Sequence, residues 1–342
     1  MKLGIANMTK NGQEKRATLT SVAKHAGLDP STVSRVLTGD TNQRISDETR
    51  ARILNSAEIL NYRPNTLARK LRTSRSKSIC IVLPRFDQTV FTKMMEGVFA
   101  ACTERDYFPY IVVTPKESST SEILKKLEQL EHVDGILAVS FDDSAAVGMA
   151  VESLPMPTVV MNKKIDGAVN CVWMDSLNAT ESICHHLLAA GHQKIGFIGG
   201  KPGGFNAQQR LEGYLSALKS YDVAIDDNLI MEVGYTFSLG HEAAKLLLEK
   251  QPDLTAIFCA TLATAEGAWH SIRKYRKDGA DKIKIACIHG GIMAESLGLT
   301  VVEMPTYELG YQGASGLIDL IEGKTNTVRK SLSPLELQVY EE

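Results

Sequence analysis

Ser31, Thr32, Ser34 and Arg35 crowd into the stretch DPSTVSRVLTG, residues 29–39, and offer three short hydroxyls and one guanidinium. That is the chemistry of hydrogen-bond recognition, since hydroxyls donate and accept while an arginine fork makes bidentate contacts. Elsewhere, GFIGGKPGG (196–204) is glycine-rich but has neither the G-x-G-x-x-G spacing nor the Gly-Lys-Ser/Thr ending of a phosphate loop. His185 and His186 are adjacent on a helical stretch. Their rings would point about 100° apart, a poor metal pair. No Ser/His/Asp motif or carboxylate pair can be located. The expectation is a non-enzyme with no catalytic residues, no metal and no cofactor.

The elements around the four polar residues must hold them outward. Asp29 suits a helix N-cap, Pro30 the first helical position and Gly39 the residue past the end. Val33, Val36 and Leu37 then share one apolar stripe, leaving the polar residues on the other side. Before them, Thr18 can cap LTSVAKHA, where Leu19, Val22, Ala23 and Ala26 keep helical spacing and Gly27 closes the helix. Two short helices around a glycine-containing turn predict a helix-turn-helix, whose second helix reads the major groove. A third helix starts at Ser46, with Asp47 and Glu48 at its positive end and Ile53, Ala57 and Leu60 inside. In this arrangement Arg35 can fork onto a guanine, worth about 1–3 kcal/mol of base discrimination.

Charge points the same way. Residues 1–78 carry 15 Lys and Arg against 6 Asp and Glu, a net of +9, while the remaining 264 carry 23 against 34, a net of −11. A basic head on an acidic body implies a polyanion partner at the N-terminus only. The bland alternatives are an ordinary solvated surface and a helical hairpin with no role on DNA.

Next comes YRPNTLARKLRTSRSKS, residues 62–78. Pro64 stops the third helix and Asn65 can cap another, but a helix over 66–72 is well short of the roughly 12–15 residues that are marginal alone in water. Arg69, Lys70, Arg72, Arg75 and Lys77 repel one another, while Leu67 and Leu71 form an apolar edge. Such a segment suits folding on DNA, with phosphates neutralising the charge and a leucine wedged into the minor groove. A flexible linker is the competing reading. Residues 1–17 read as a disordered tail.

From Ser78 onward, short apolar runs alternate with helical stretches. ICIVLP (79–84), YIVVT (110–114), GILAVS (135–140) and TVVMN (158–162) read as buried parallel strands, with helices such as 91–105 and 121–131 between them. The rhythm restarts at KIGFIGG (194–200), LIMEVG (229–234), TAIFCA (255–260) and IKIACI (283–288). Two successive series predict two doubly wound lobes with a ligand cleft at the strand carboxyl ends. Cysteines at 80, 102, 171, 184, 259 and 287 show no pairing pattern and suit buried, reduced thiols. Neither a signal peptide nor an apolar run long enough for a membrane span is evident. The expected location is the cytoplasm, in association with the nucleoid.

The segment ATLTSVAKHAGLDPSTVSRVLTGD, continued by RISDETRARILNSAEILNYRPNTLARKLRTSRSKSICIVLP, resembles the N-terminus of the LacI/GalR family of bacterial transcription repressors, and the likeness runs on to the C-terminus. It implies an all-α helix-turn-helix head at 18–64, a hinge helix and linker at 65–78, and a two-lobed core at 79–342 like that of periplasmic sugar-binding proteins. It implies three crossings between lobes, near 173–175, 302–305 and 332–334. Lobe one would be about 79–173 plus 305–332, and lobe two 175–302 plus 334–342. Pro30, Ser31 and Arg35 match recognition-helix positions, Asn65, Ala68 and Leu71 match hinge positions, and Leu71 matches the leucine levered into the central base step. QQRLEGYLSAL (208–218) matches the helix whose arginine binds effector hydroxyls, nominating Arg210.

This chain departs from the pattern in three places. The loop LTGDTNQRIS is longer than usual, FCATLATAEG has Thr261 and Leu262 where relatives carry Asn-Asp, and IHGG has His289 where many carry Phe-Asp-Asp. The free-sugar pattern therefore cannot be copied across. The first two features look closer to the fructose- and sucrose-pathway members, some of which sense phosphorylated sugars, and Arg85, Lys201 and Arg210 could counter a phosphate. The candidate DNA-contacting set is Thr20, Ser21, Pro30, Ser31, Thr32, Ser34, Arg35, Asn65, Ala68, Arg69 and Leu71. The candidate effector-contacting set is Arg85, Asp87, Lys201, Arg210, Thr261 and His289.

The expected function is a repressor of carbohydrate genes. Its expected partners are double-stranded operator DNA, a sugar or sugar-phosphate effector and a second copy in a homodimer, with no membrane. No leucine heptads follow LELQVY, so no coiled-coil tetramer tail is expected. The alternatives are the same regulator with a nucleobase corepressor, or a non-enzymatic sugar-binding protein.

Overall fold

The computed structural model describes residues 17–37, 45–62, 75–83, 89–114, 119–130, 132–139, 145–275 and 282–340. The chain divides into two compact units, Met1–Ser76 and Lys77–Glu342.

In the first unit, α1 (Leu19–Ala26), α2 (Pro30–Leu37) and α3 (Asp47–Ile59) begin where the caps require. Ser21 N–H donates to Thr18 Oγ1 at 3.2 Å, and Thr18 N–H donates to Ser21 Oγ at 2.9 Å, a reciprocal cap. Gly27 closes α1 at φ 63°, a left-handed conformation that costs a glycine little. Asp29 Oδ1 accepts from Ser31 N–H at 2.7 Å and opens α2, while Ser46 Oγ accepts from Thr49 N–H at 3.2 Å and opens α3. Neither eight-residue helix could persist alone, so their stability comes from burial. Val22 and Ala23 from α1, Val33 and Val36 from α2 and Ile53 from α3 form the core, ringed by Leu19, Leu28, Leu37, Ala57 and Leu60. Gly39, expected to end α2, lies outside the described residues, as do 63–74.

The second unit holds two six-stranded sheets. The first has the order β11-β5-β4-β3-β1-β2, from β1 (Ser78–Leu83), β2 (Phe108–Val113), β3 (Gly135–Ala138), β4 (Thr158–Met161), β5 (Cys171–Met174) and β11 (Arg329–Leu332). The second has the order β12-β10-β9-β8-β6-β7, from β6 (Ile195–Gly199), β7 (Ile230–Glu232), β8 (Ala256–Cys259), β9 (Lys284–Ile288), β10 (Thr300–Val302) and β12 (Leu337–Val339). All pairings are parallel except β10 with β12. The chain therefore passes between sheets after β5, after β10 and after β11.

The helices flanking these strands are α4 (Thr89–Glu104), α5 (Thr120–Glu128), α6 (Ala145–Glu152), α7 (Ser176–Ala189), α8 (Phe205–Ser220), α9 (Phe237–Lys250), α10 (Leu262–Tyr275), α11 (Ile292–Ser296) and α12 (Thr306–Glu322). One apolar cluster runs from Ile79, Leu137 and Val159 through Met174 and Met304 to Phe197, Tyr214 and Phe258, joining the lobes where the chain crosses. The α4–α12 pair meets backbone to backbone. A Cβ on Gly97 would fall 2.0 Å from the Tyr307 carbonyl oxygen, and one on Gly310 would fall 1.9 Å from that of Met94.

Some expectations change. Strands β5, β10 and β11 are additional to those read from apolar runs, because three or four residues show little periodicity. The 229–234 run yields only Ile230–Glu232, after a 3₁₀ turn at Asp227–Leu229. The run at 110–114 lies in β2, which pairs only with β1 at the sheet edge, so it is not buried: Phe108 is 60% and Tyr110 50% exposed.

All six cysteines are buried and free. Burial pushes the Cys80 and Cys102 thiols up to about 11, far from reactive thiolate.

Candidate functional site

Two surfaces collect the candidate residues, one in each unit. On the head, the apolar side of α2 is consumed by the core, leaving Ser31 exposed and Thr32, Ser34 and Arg35 partly exposed. Pro30 and Thr20 are exposed too. Ser21 is occupied differently: its hydroxyl accepts from Thr18 N–H and donates to the Thr18 carbonyl at 2.7 Å, so it mainly holds the entry of α1. Asp29 is held below the usual carboxylate range, foremost by hydrogen bonds from Ser31, and stays an ionised cap. Asn65, Ala68, Arg69 and Leu71 lie outside the described residues.

In the second unit a cleft of about 330 Å³, suited to a sugar-sized ligand, opens at the strand carboxyl ends. Lobe one supplies Val90 and Phe91 from the start of α4, Val139 after β3, and Asn162 and Lys163 after β4. Lobe two supplies Asn206 and Arg210 from α8, Tyr235 before α9, Thr261 after β8, Glu266 from α10 and His289 after β9. Asn206 Nδ2 donates across the cleft to the Asn162 carbonyl at 2.7 Å, a direct bond between lobes. Asn162 and His289 take left-handed φ of 62° and 67° without being glycine, a conformation these residue types adopt more readily than most.

Arg210 is the centre of this cleft. It is only 5% exposed, yet its Nε has no hydrogen-bond partner. Its guanidinium lies 5.6 Å from the centre of the Tyr235 ring, a cation–π contact. Burial disfavours its charge, and Tyr235 is the group that opposes this. His289 Nδ1 lies 3.4 Å from Thr306 Oγ1. Burial and the Arg210 charge depress the imidazole to about 3, so it is neutral at physiological pH. Glu266 is raised by burial, with His270 opposing. Thr261 faces the cleft while capping α10, where Thr264 Oγ1 donates to the Thr261 carbonyl at 2.8 Å.

The structure thus brings Arg210, Thr261 and His289 together. Lys201 is exposed in the turn after β6 and does not line the cleft. Arg85 and Asp87 lie outside the described residues. Sequence reasoning missed Asn162, Lys163, Asn206, Tyr235 and Glu266. Asn162 follows directly on the end of a strand, so a search of strand carboxyl ends would have found it.

Two family models match the chain: "Bacterial regulatory proteins, lacI family" over residues 18–65, and "Periplasmic binding proteins and sugar binding domain of LacI family" over residues 76–341. The HTH-type transcriptional regulator CelR of Thermobifida fusca is 26% identical over 339 residues, covering 96% of this chain and 99% of that protein. The ribose operon repressor of Haemophilus influenzae is 27% identical over 327 residues, covering 92% and 94%. Among solved structures, the CelR–cellobiose complex aligns with a TM-score of 0.71 at 26% identity, covering 95% of this chain and 99% of that one. The lac repressor dimer bound to operator aligns with a TM-score of 0.81 at 20% identity, covering 96% and 100%, a likeness of fold.

Proposed function

Since the chain belongs to the LacI family of bacterial regulatory proteins and is a DNA-binding transcriptional regulator, we propose that it represses carbohydrate genes and is released from DNA by a sugar or sugar phosphate bound in its cleft. The observation that carries this reading is the pairing, in one chain, of an outward polar recognition face with a two-lobed cleft built around a buried arginine. The cellobiose held by CelR supports a carbohydrate as the ligand class.

The repressor acts as a homodimer on a two-fold symmetric operator, because protein and DNA symmetry must match. The exposed apolar row on β2, Phe108, Tyr110 and Val112, suits a second copy. Residues 65–78 act as the hinge, with Asn65, Ala68, Arg69 and Leu71 on DNA, and Arg85 and Asp87 contact the effector. Closure of the lobes around the effector resets the hinge. Swinging a head from about 99% to about 1% competent needs a ligand preference near 10⁴-fold between lobe arrangements. The place of action is the cytoplasm, on nucleoid DNA. A kinship with the fructose- and sucrose-pathway members is supported by Thr261 and His289 standing at cleft positions without an acid.

Selection of bound sequences from random double-stranded DNA, followed by titration with sugars and sugar phosphates, tests this reading. The expected result is a two-fold symmetric site whose affinity falls when one ligand is added. Enrichment of no symmetric sequence would overturn it.

A further inference from the structure

The core begins at Lys77, the first residue of the second unit. Lys77 holds a left-handed φ of 55°. A lysine gains nothing from that conformation, which persists only where the surroundings over-determine it. They do so here. Its N–H donates to Asp134 Oδ2 at 2.8 Å, and its carbonyl accepts from Phe108 N–H at 2.8 Å. Its ammonium lies 4.2 Å from the centre of the Tyr107 ring and donates to Glu322 Oε1 at 3.0 Å. One residue is thus tied to β2, to the turn before β3 and to the end of α12. Glu322 is as unusual as its partner. It closes α12, where the helix dipole disfavours an acid. Lys77, Lys324 at 2.9 Å and Arg105 at 2.6 Å outweigh that penalty. Arg105, just past α4, also bonds Asp319 at 3.0 Å, so the carboxylate gathers α4, α12 and the start of the core at one point.

Resting on the reading of residues 65–78 as the hinge, we propose that Lys77 and Glu322 are positioning residues for operator binding: their pair fixes the direction in which the hinge leaves lobe one. An operator accepts one direction of departure, whereas non-specific DNA accepts many. The ammonium of Lys77 therefore serves the carboxylate of Glu322 and not a phosphate.

Fluorescence anisotropy of the full chain on two duplexes tests the anchor: the symmetric sequence selected from random DNA, and the same bases scrambled. Glu322→Gln and Lys77→Met should each weaken binding to the selected duplex about 5- to 30-fold, the cost of ordering one residue's backbone anew, and leave the scrambled duplex unchanged. The double variant should be no weaker than either single one, since both remove the same interaction. Lys77→Gly, which accepts the left-handed φ without strain and keeps the chain folded, should show the same loss. A purely structural role lowers the urea midpoint and leaves the ratio of the two affinities where it was, which would overturn the anchor. So would a phosphate contact, seen as a salt slope that falls by about one in Lys77→Met. A native chain with no preference for the selected duplex would overturn the hinge reading and the anchor together. A native preference that every variant keeps would overturn the anchor alone.

Discussion

At the scale of single residues, Arg35 and His289 make opposite demands on charge. Arg35 sits on the half of α2 that the core leaves free, so its guanidinium can read a base edge. Arg35→Ala should relax preference at one base pair per half-site, costing about 1–3 kcal/mol of discrimination there, as read by competition between single-base variants of the selected operator. An unchanged preference would reverse the assigned orientation of α2. His289 is neutral because burial and Arg210 hold it near 3 against an ordinary 6.5. The unfolded chain protonates this imidazole below 6.5 while the folded chain resists, so its contribution is intact above 6.5 and is lost as pH falls toward 3. His289→Gln should flatten the fall in thermal stability between pH 6.5 and 4.5, measured against the native chain.

At the scale of elements, α12 is the longest helix among the described residues, and it is fixed at both ends. Its first residue, Thr306, touches His289 in the cleft. Its last, Glu322, bonds Lys77 at 3.0 Å, Arg105 at 2.6 Å and Lys324 at 2.9 Å. Although burial raises it, the bonds from Lys324, Arg105 and Lys77 hold the Glu322 carboxyl down at about 2 against an ordinary 4.5. Its contribution is present above 4.5 and lost as pH falls toward 2. Glu322→Gln should therefore lower stability at neutral pH by about 1.5–3 kcal/mol and flatten the acid limb below 4.5, a window distinct from that of His289. Between its ends α12 lies against α4 with no room for a methyl group. Gly310→Ala should cost about 1–3 kcal/mol or more, seen as a lower urea midpoint. An unchanged midpoint would mean the two helices can separate freely. The caps of α1, α2 and α3 were legible in the sequence because each is a contact between residues two or three apart. The glycine seam was not, since Gly97 and Gly310 meet across more than two hundred residues of chain.

At the scale of the whole molecule, the proposed repressor depends on two copies of one chain presenting two heads to one operator. Leu71→Ala should weaken operator binding more than binding to non-specific DNA, because it removes an apolar wedge and no charge. Equal losses measured on both DNAs by fluorescence anisotropy would remove the wedge. The proposed dimer also accounts for the exposed apolar run of β2. Its apolar run was readable, but whether the fold or a partner covers such a run is not encoded in the run itself.

What the sequence determined alone was everything local or compositional: the capped helices of the head, their apolar stripes, the basic-to-acidic divide and the restart of the strand–helix rhythm. Each follows from spacing within a few residues or from counts along the chain. What only the tertiary structure decided was the company Arg210 keeps. Its neighbours come from α8 and α10 and from the turns after β4, before α9 and after β9, spread between residues 162 and 289. The sheets bring their ends to one cleft, and no pattern along the chain could say that a buried cation would find a neutral imidazole there.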